Sequence, residues 1–199
     1  MLTWNYPPVV GGIEQVALHA ARGLDRLGHR VRVVAAGAAD GNGEAVDGPV
    51  PERPEKPGLV RFLGFAFTRG LSEARRERPD WILCPSLTSA PPARAISMLT
   101  GVPYAVFVHG SDLLVRHPVY RAGLKPILAG ASLVIANSRH TARLAEEQGA
   151  PAGCIEILHP GVDPAPASAP RPSERTQRVL DELGERPVIL SVGRLVRRK

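Results

Sequence analysis

Short apolar runs alternate along this chain with longer stretches in which apolar residues recur every three or four positions. The runs predict strands at Met1–Asn5, Val31–Ala36, Trp81–Cys84, Tyr104–Val108, Leu133–Ala136, Ile155–Leu158 and Val188–Val192. Strands separated by segments of helical period predict βαβ units and a parallel sheet. In the first helical segment Ile13, Val16, Ala17, Ala20, Leu24 and Leu27 define the face expected on the sheet, and Gly28 supplies the left-handed residue that ends the helix. A second helix is predicted over Arg139–Gln148, with Ser138 as N-cap and Gly149 just past its end, and a short one around Ser173–Leu183.

Between these elements, residues 37–58 carry Gly, Asp, Pro and Glu without period and predict a surface loop. The proline-rich stretch Pro164–Pro172 predicts a stiff linker, which sets a boundary near residue 165. The expected organisation is a Rossmann-like domain over 1–165, followed over 166–199 by the linker and the start of a second domain. Those last residues, about 35 of them, are too few to bury a core of their own. The opening strand is also short for an inner parallel strand.

Composition narrows the class. The chain has 199 residues, 44% hydrophobic and 22% charged, which excludes a disordered chain. Cys84 and Cys154 follow no metal-ligand spacing and read as reduced, small buried hydrophobes of a cytoplasmic protein. The net charge of +6 falls to +2 without Arg194, Arg197, Arg198 and Lys199, and no basic helix carries stacking aromatics, so nucleic acid is not the expected partner. With 22 arginines against 3 lysines, arginine abundance reflects the coding bias of GC-rich DNA and says little about function. No apolar run reaches the roughly 18 residues of a membrane-spanning helix.

In open α/β sheets ligands bind beyond the carboxyl ends of the strands, so the chemistry is expected in the residues just after each strand. After the first strand, Gly11-Gly12 opens a helix, where unpaired N–H groups and the dipole accept an anion such as phosphate; the pair equally suits a turn alone. It is not the dinucleotide fingerprint, and no acidic residue ends the second strand, which argues against a dehydrogenase. Glu14 in the first helical turn complements the dipole. His109-Gly110-Ser111-Asp112 follows the strand at 104–108 and offers an imidazole to a sugar hydroxyl or phosphate oxygen; taken alone, it reads first as a histidine satisfied by neighbouring backbone. Asn137-Ser138 reads first as a helix cap. His159-Pro160-Gly161-Val162-Asp163 suits a hinge, and Gly193-Arg194 with Lys199 places two cations suited to a diphosphate or to a solvated basic turn.

Taken in order, these clusters resemble the retaining nucleotide-sugar glycosyltransferases of family 4, which have the GT-B fold of two facing Rossmann-like domains. The resemblance rests on Pro7-Pro8 with Gly11-Gly12-Ile13-Glu14, His109-Gly110 with Asp112, Ala136-Asn137-Ser138, His159-Pro160-Gly161-Val162-Asp163, and Val192-Gly193-Arg194-Leu195 with Lys199. It implies an acceptor-side α/β domain with helices on both faces of a parallel sheet, joined to the first strand of a donor-binding domain. It also implies that Gly11 and Gly12 meet the donor diphosphate, that His109 lies by the transferred sugar, and that Arg194 and Lys199 hold the departing diphosphate. Asp112, Asn137, Ser138, Gly161 and Asp163 are further cleft candidates. The implied reaction transfers a hexose from a nucleoside diphosphate sugar to an acceptor hydroxyl with retention and needs no metal. The paired glutamates of the family lie beyond residue 199, so these residues alone are expected to be inactive.

The implied acceptor is a sugar or a lipid-linked sugar. Arg61–Arg69 with Arg75, Arg76 and Arg78 mixes aromatics and cations that suit an anionic membrane surface, and hence a peripheral place on the inner face of the plasma membrane. The same pattern suits a helix with its apolar side on the sheet. Leu113–Tyr120 is either acceptor cleft or connecting loop. The competing functions are a GT-B sugar-nucleotide epimerase and a non-catalytic GT-B-like binding subunit.

Overall fold

The first crossover is built as the pattern predicts: β1 (Leu2–Thr3), α1 (Gly12–Arg26) and β2 (Val33–Ala35). The computed structural model describes residues 1–36, 48–115, 117–161, 171–184, 186–189 and 191. Gly28 adopts φ +87° after α1, and the bonds from Gly28 N–H to Asp25 O and from His29 N–H to Leu24 O close the helix end. Then follow β3 (Pro51–Glu52), α2 (Leu59–Glu77), β4 (Ile82–Cys84), α3 (Ala90–Thr100), β5 (Tyr104–Val108), α4 (Pro118–Gly130), β6 (Leu133–Ala136), α5 (Arg139–Glu147) and β7 (Ile155–Ile157). All ladders are parallel, in the orders β1-β2-β3 and β4-β5-β6-β7. β1 lies against β4 at the join.

Three expectations are corrected. The stretch 37–58 is not all loop, because Pro51–Glu52 pairs with Val33–Val34 as β3; a two-residue strand at a sheet edge tolerates a proline and leaves no periodic signal. The rest of that stretch up to residue 47 lies outside the described residues. The face that α1 buries is Glu14, Ala17, Leu18 and Ala21, one residue round from the predicted stripe, whose Leu27 is exposed. The sheet under α1 is narrow there, consisting of Val33 and Ala35 of β2 with Tyr6, so only one edge of a broad apolar surface is covered. Finally, of the expected strand Val188–Val192, the described residues Val188, Ile189 and Ser191 join no ladder, and Leu190 and Val192 lie outside the described residues.

Alternation along each strand splits the interior into two layers. Val33 and Ala35 join the small core under α1, whereas Val34, Cys84, Tyr104, Val106, Val108, Val134 and Ala136 face the main core under α2–α5. Helices therefore lie on both faces of the sheet. Phe62 and Ala66 of α2 are fully buried in the main core, with Leu63, Phe65 and Phe67 packed against it, and Trp4 meets Phe62 edge to face at 5.5 Å. Arg61, Arg75 and Arg76 remain exposed. Cys84 is buried as expected, while Cys154 is only half-buried; both are free thiols.

The chain divides into two units, Met1–Pro160 and Gly161–Lys199. In the second, α6 (Glu174–Leu183) is capped by Ser173, whose hydroxyl accepts the Thr176 N–H at 3.2 Å. Val179 and Leu180 on that helix are exposed.

Candidate functional site

Within the first unit the polar residues singled out from the sequence follow the carboxyl ends of β1, β5 and β6, where a parallel sheet collects its ligands. In the turn after β5, both backbone and ring are held by hydrogen bonds. Asp112 Oδ1 accepts the N–H groups of His109 and Leu113, each at 3.1 Å, and Oδ2 lies 3.3 Å from the same His109 nitrogen. Burial pushes the Asp112 carboxyl above its ordinary value, against the pull of His109 and the donated N–H groups. Gly110 is needed for two reasons: its φ is +88°, and a Cβ would stand 3.2 Å from Thr141 Oγ1.

His109 is oriented through its ring. Nε2 lies 2.7 Å from the Pro85 carbonyl at the end of β4. A carbonyl can only accept, so Nε2 carries the proton, and the neutral ring has a lone pair at Nδ1, which bonds to none of the described residues. The imidazole thus offers an acceptor when neutral and a donor only when protonated.

Thr141 ties this turn to the end of β6. Its hydroxyl donates to Asn137 Oδ1 at 2.7 Å, and its N–H donates to Ser138 Oγ at 3.2 Å. Ser138 is therefore the N-cap of α5, a structural role, and Asn137 supplies a carbonyl oxygen that lies 3.1 Å from Nδ1 of His159. The sequence did not point to Thr141; its place one turn into α5 behind an N-cap serine was the available signal.

At the end of β1 the structure alters the reading of the glycine pair. Neither Gly11 nor Gly12 has a positive φ, so flexibility is not what the turn requires. Gly11 is fitted to Glu14: a Cβ there would stand 2.2 Å from Glu14 Oε2, whereas a Cβ on Gly12 meets nothing within 4 Å. Glu14 is buried, not a surface complement to the dipole, and its Oε1 accepts from Asn5 Nδ2 at 2.8 Å. Of the pair, Gly12 is the open one.

Two further groups escaped the sequence reading. Arg53, beyond β3, donates to the carbonyls of Ala36 and Pro7, tying the end of β2 to the Pro7-Pro8 loop; burial pulls its pKa below the ordinary value. Nothing in an aperiodic loop marked it. Ser86, after β4, has a buried hydroxyl with no partner among the described residues. Its place two residues beyond a strand end was the only clue. Gly161 is exposed and belongs to the second unit, and Arg194, Lys199 and Asp163 lie outside the described residues. Among the described residues no group of three His, Cys, Asp or Glu could hold a metal ion, and no helix is long and apolar enough to cross a membrane.

Solved structures share this architecture. HepE of Anabaena in complex with UDP and glucose matches with a TM-score of 0.60 at 19% identity, over 81% of this chain and 44% of that one. The lipopolysaccharide outer core galactosyltransferase WaaB matches at 0.56 and 12% identity, over 83% of this chain and 48% of that one. UDP-N-acetylglucosamine 2-epimerase from Rickettsia bellii matches at 0.51 and 12%, over 92% and 46%. The chain thus spans less than half the length of each of these structures, and the shared fold is the N-terminal Rossmann-like part of a GT-B protein. No curated protein matches the chain. Residues 10–166, by contrast, match Glycosyltransferase Family 4. Since that match takes in the turns after β1, β5 and β6 together, the chain belongs to glycosyltransferase family 4.

Proposed function

We propose that the whole protein transfers a hexose from a nucleoside diphosphate sugar to an acceptor hydroxyl with retention of the anomeric configuration. The observation that carries this reading is the turn after β5, in which backbone and ring are both held and Nδ1 of His109 is left open. A neutral His109 accepts a hydrogen bond from a hydroxyl of the transferred sugar at that atom. The N–H groups around Gly12, at the positive end of α1, receive the diphosphate; Gly11 is filled by the Glu14 side chain and acts by shaping the loop. Arg194 and Lys199 neutralise the departing diphosphate, doing with fixed charge and the helix dipole what a metal does in other transferases. Residues 1–165 form the acceptor-side domain and 166–199 lead into the donor-binding domain.

Support for the donor comes from family membership and from the likeness to HepE, which is solved with UDP and with UDP-glucose. For the acceptor we infer a sugar or lipid-linked sugar, met in the cytoplasm or at the inner face of the plasma membrane. Exposed Leu59, Val60 and Arg61 at the start of α2 are the residues that would rest on anionic lipid.

Calorimetric titration with UDP- and GDP-hexoses tests the donor assignment. Binding of one nucleotide series, lost in Arg194→Ala, is the expected result. In the transfer reaction Arg194→Ala and Lys199→Ala each lower kcat/KM by roughly a hundredfold or more, the scale for removing one preorganised charge-stabilising group. Unchanged kinetics would place the diphosphate elsewhere.

A further inference from the structure

Strands β1, β2 and β3 run parallel, so their carboxyl ends lie side by side, and the Arg53 guanidinium reaches across all three. Arg53 follows β3 directly; its Nη1 donates to the carbonyl of Ala36 beyond β2, and its Nη2 to the carbonyl of Pro7 in the loop after β1. Its neighbour Glu52 is turned to α2, where Oε1 accepts from Arg69 Nη2 at 3.0 Å.

A guanidinium carries five N–H donors and a full positive charge. Two donors are spent on these carbonyls, while Nε–H and the second hydrogen of each terminal nitrogen have no partner among the described residues. The charge is unspent as well. Arg30, Arg32 and Arg69 each meet a glutamate, whereas no Asp or Glu among the described residues lies within ion-pair distance of the half-buried Arg53. Tyr6, the ionisable group beside it, is kept neutral by burial, and its hydroxyl donates to Pro49 O at 3.1 Å. Carbonyl dipoles offset only part of the cost of taking a cation out of water, and burial pulls Arg53 below its ordinary value. The loop it holds adds donors and no acid: the N–H groups of Val9 and Val10 have no partner among the described residues. Tying two loops together takes two donors and no charge, so the remainder of the group is free for an anion.

We propose that Arg53 forms a phosphate-binding subsite beyond the ends of β1, β2 and β3, its spare N–H groups pairing with phosphate oxygens. A phosphate group brings three acceptor oxygens and the counter-charge that the chain does not supply, and a guanidinium fork matches two of those oxygens at once. Phosphate binding itself does not rest on the glycosyl-transfer reading. The source of the group does: it belongs either to the donor diphosphate or to an acceptor that carries phosphate, such as a lipid-linked sugar.

The test titrates the 15N-labelled full chain with inorganic phosphate, and separately with sodium chloride at matched ionic strength, following the Arg53 Nε–H resonance. A saturable shift with its midpoint below about 10 mM, absent with chloride, is the expected result. In Arg53→Lys, which keeps the charge and loses the fork, the midpoint read from neighbouring backbone amides rises at least fivefold. An Nε–H resonance that phosphate leaves in place, or that chloride moves equally, would overturn the proposal; this reading needs no variant to fold. The titration contains neither nucleotide nor sugar, so its failure is separate from a failure of the transfer reading. In the whole protein, at least fivefold weaker binding of UDP or GDP by Arg53→Lys assigns the group to the donor. Unchanged nucleotide binding with a raised KM for the acceptor assigns it to the acceptor, and no change in either would count against a phosphate subsite at Arg53.

Discussion

Replacing Asp112 tests whether the turn after β5 is held as the geometry implies. Its carboxylate accepts two backbone N–H groups, those of His109 and Leu113, both through Oδ1. Asp112→Ala leaves both without an acceptor, at about 1–3 kcal/mol for each stranded group, and removes a carboxylate that is itself costly to bury. The net loss expected is about 2–3 kcal/mol. Asp112→Asn keeps an oxygen where Oδ1 stands and discards the charge, so its change is below about 1 kcal/mol. Urea unfolding followed by tryptophan fluorescence reports on this unit, since Trp4 and Trp81 both belong to it. The pH dependence supplies a second reading. The folded-state pKa of Asp112 lies above the unfolded value of 3.8, so the native state holds its proton more tightly, and this residue's contribution falls as pH rises from 3.8 through the folded value. Asp112→Asn lacks that slope. An alanine variant as stable as the parent, or an asparagine variant as damaged as the alanine one, would refute the account.

Two more outcomes follow from buried groups outside that turn. Ser86→Ala removes a buried hydroxyl that has no partner among the described residues, so urea unfolding should give a stability equal to or above the parent's; a loss beyond about 1 kcal/mol would show that the hydroxyl is bonded after all. The Met1 amino group titrates near 6 when folded and at 8.0 when unfolded, so the unfolded chain binds more protons between those values and stability rises with pH across that window. Acetylation of Met1 should flatten that part of a Tm–pH series; a slope unchanged by acetylation would assign it to another group.

The parallel α/β class was legible because β5 and β6 carry unbroken apolar runs, and their observed bounds equal the predicted ones. Caps were legible for the same local reason: Ser138 and Gly28 act on backbone within a turn of themselves, so their neighbours in sequence are their neighbours in space. α3 and α4 were harder to read, since α3 has prolines in its first turn and α4 both opens on Pro118 and contains Pro126, which together look like loop punctuation.

What the sequence determined by itself was local: where strands and helices lie, and that His109, Asp112, Asn137 and Gly12 stand just beyond strand ends or at a helix start. Only the tertiary structure decided which atoms of those residues are spent and which are left. Pro85 lies 24 positions from His109 and fixes its tautomer through a 2.7 Å contact, and Arg53 reaches from an aperiodic loop to Pro7. It also decided which stripe of α1 is buried, because that depends on how far the sheet extends beneath the helix. Such contacts join distant parts of the chain, and no local period encodes a long-range distance.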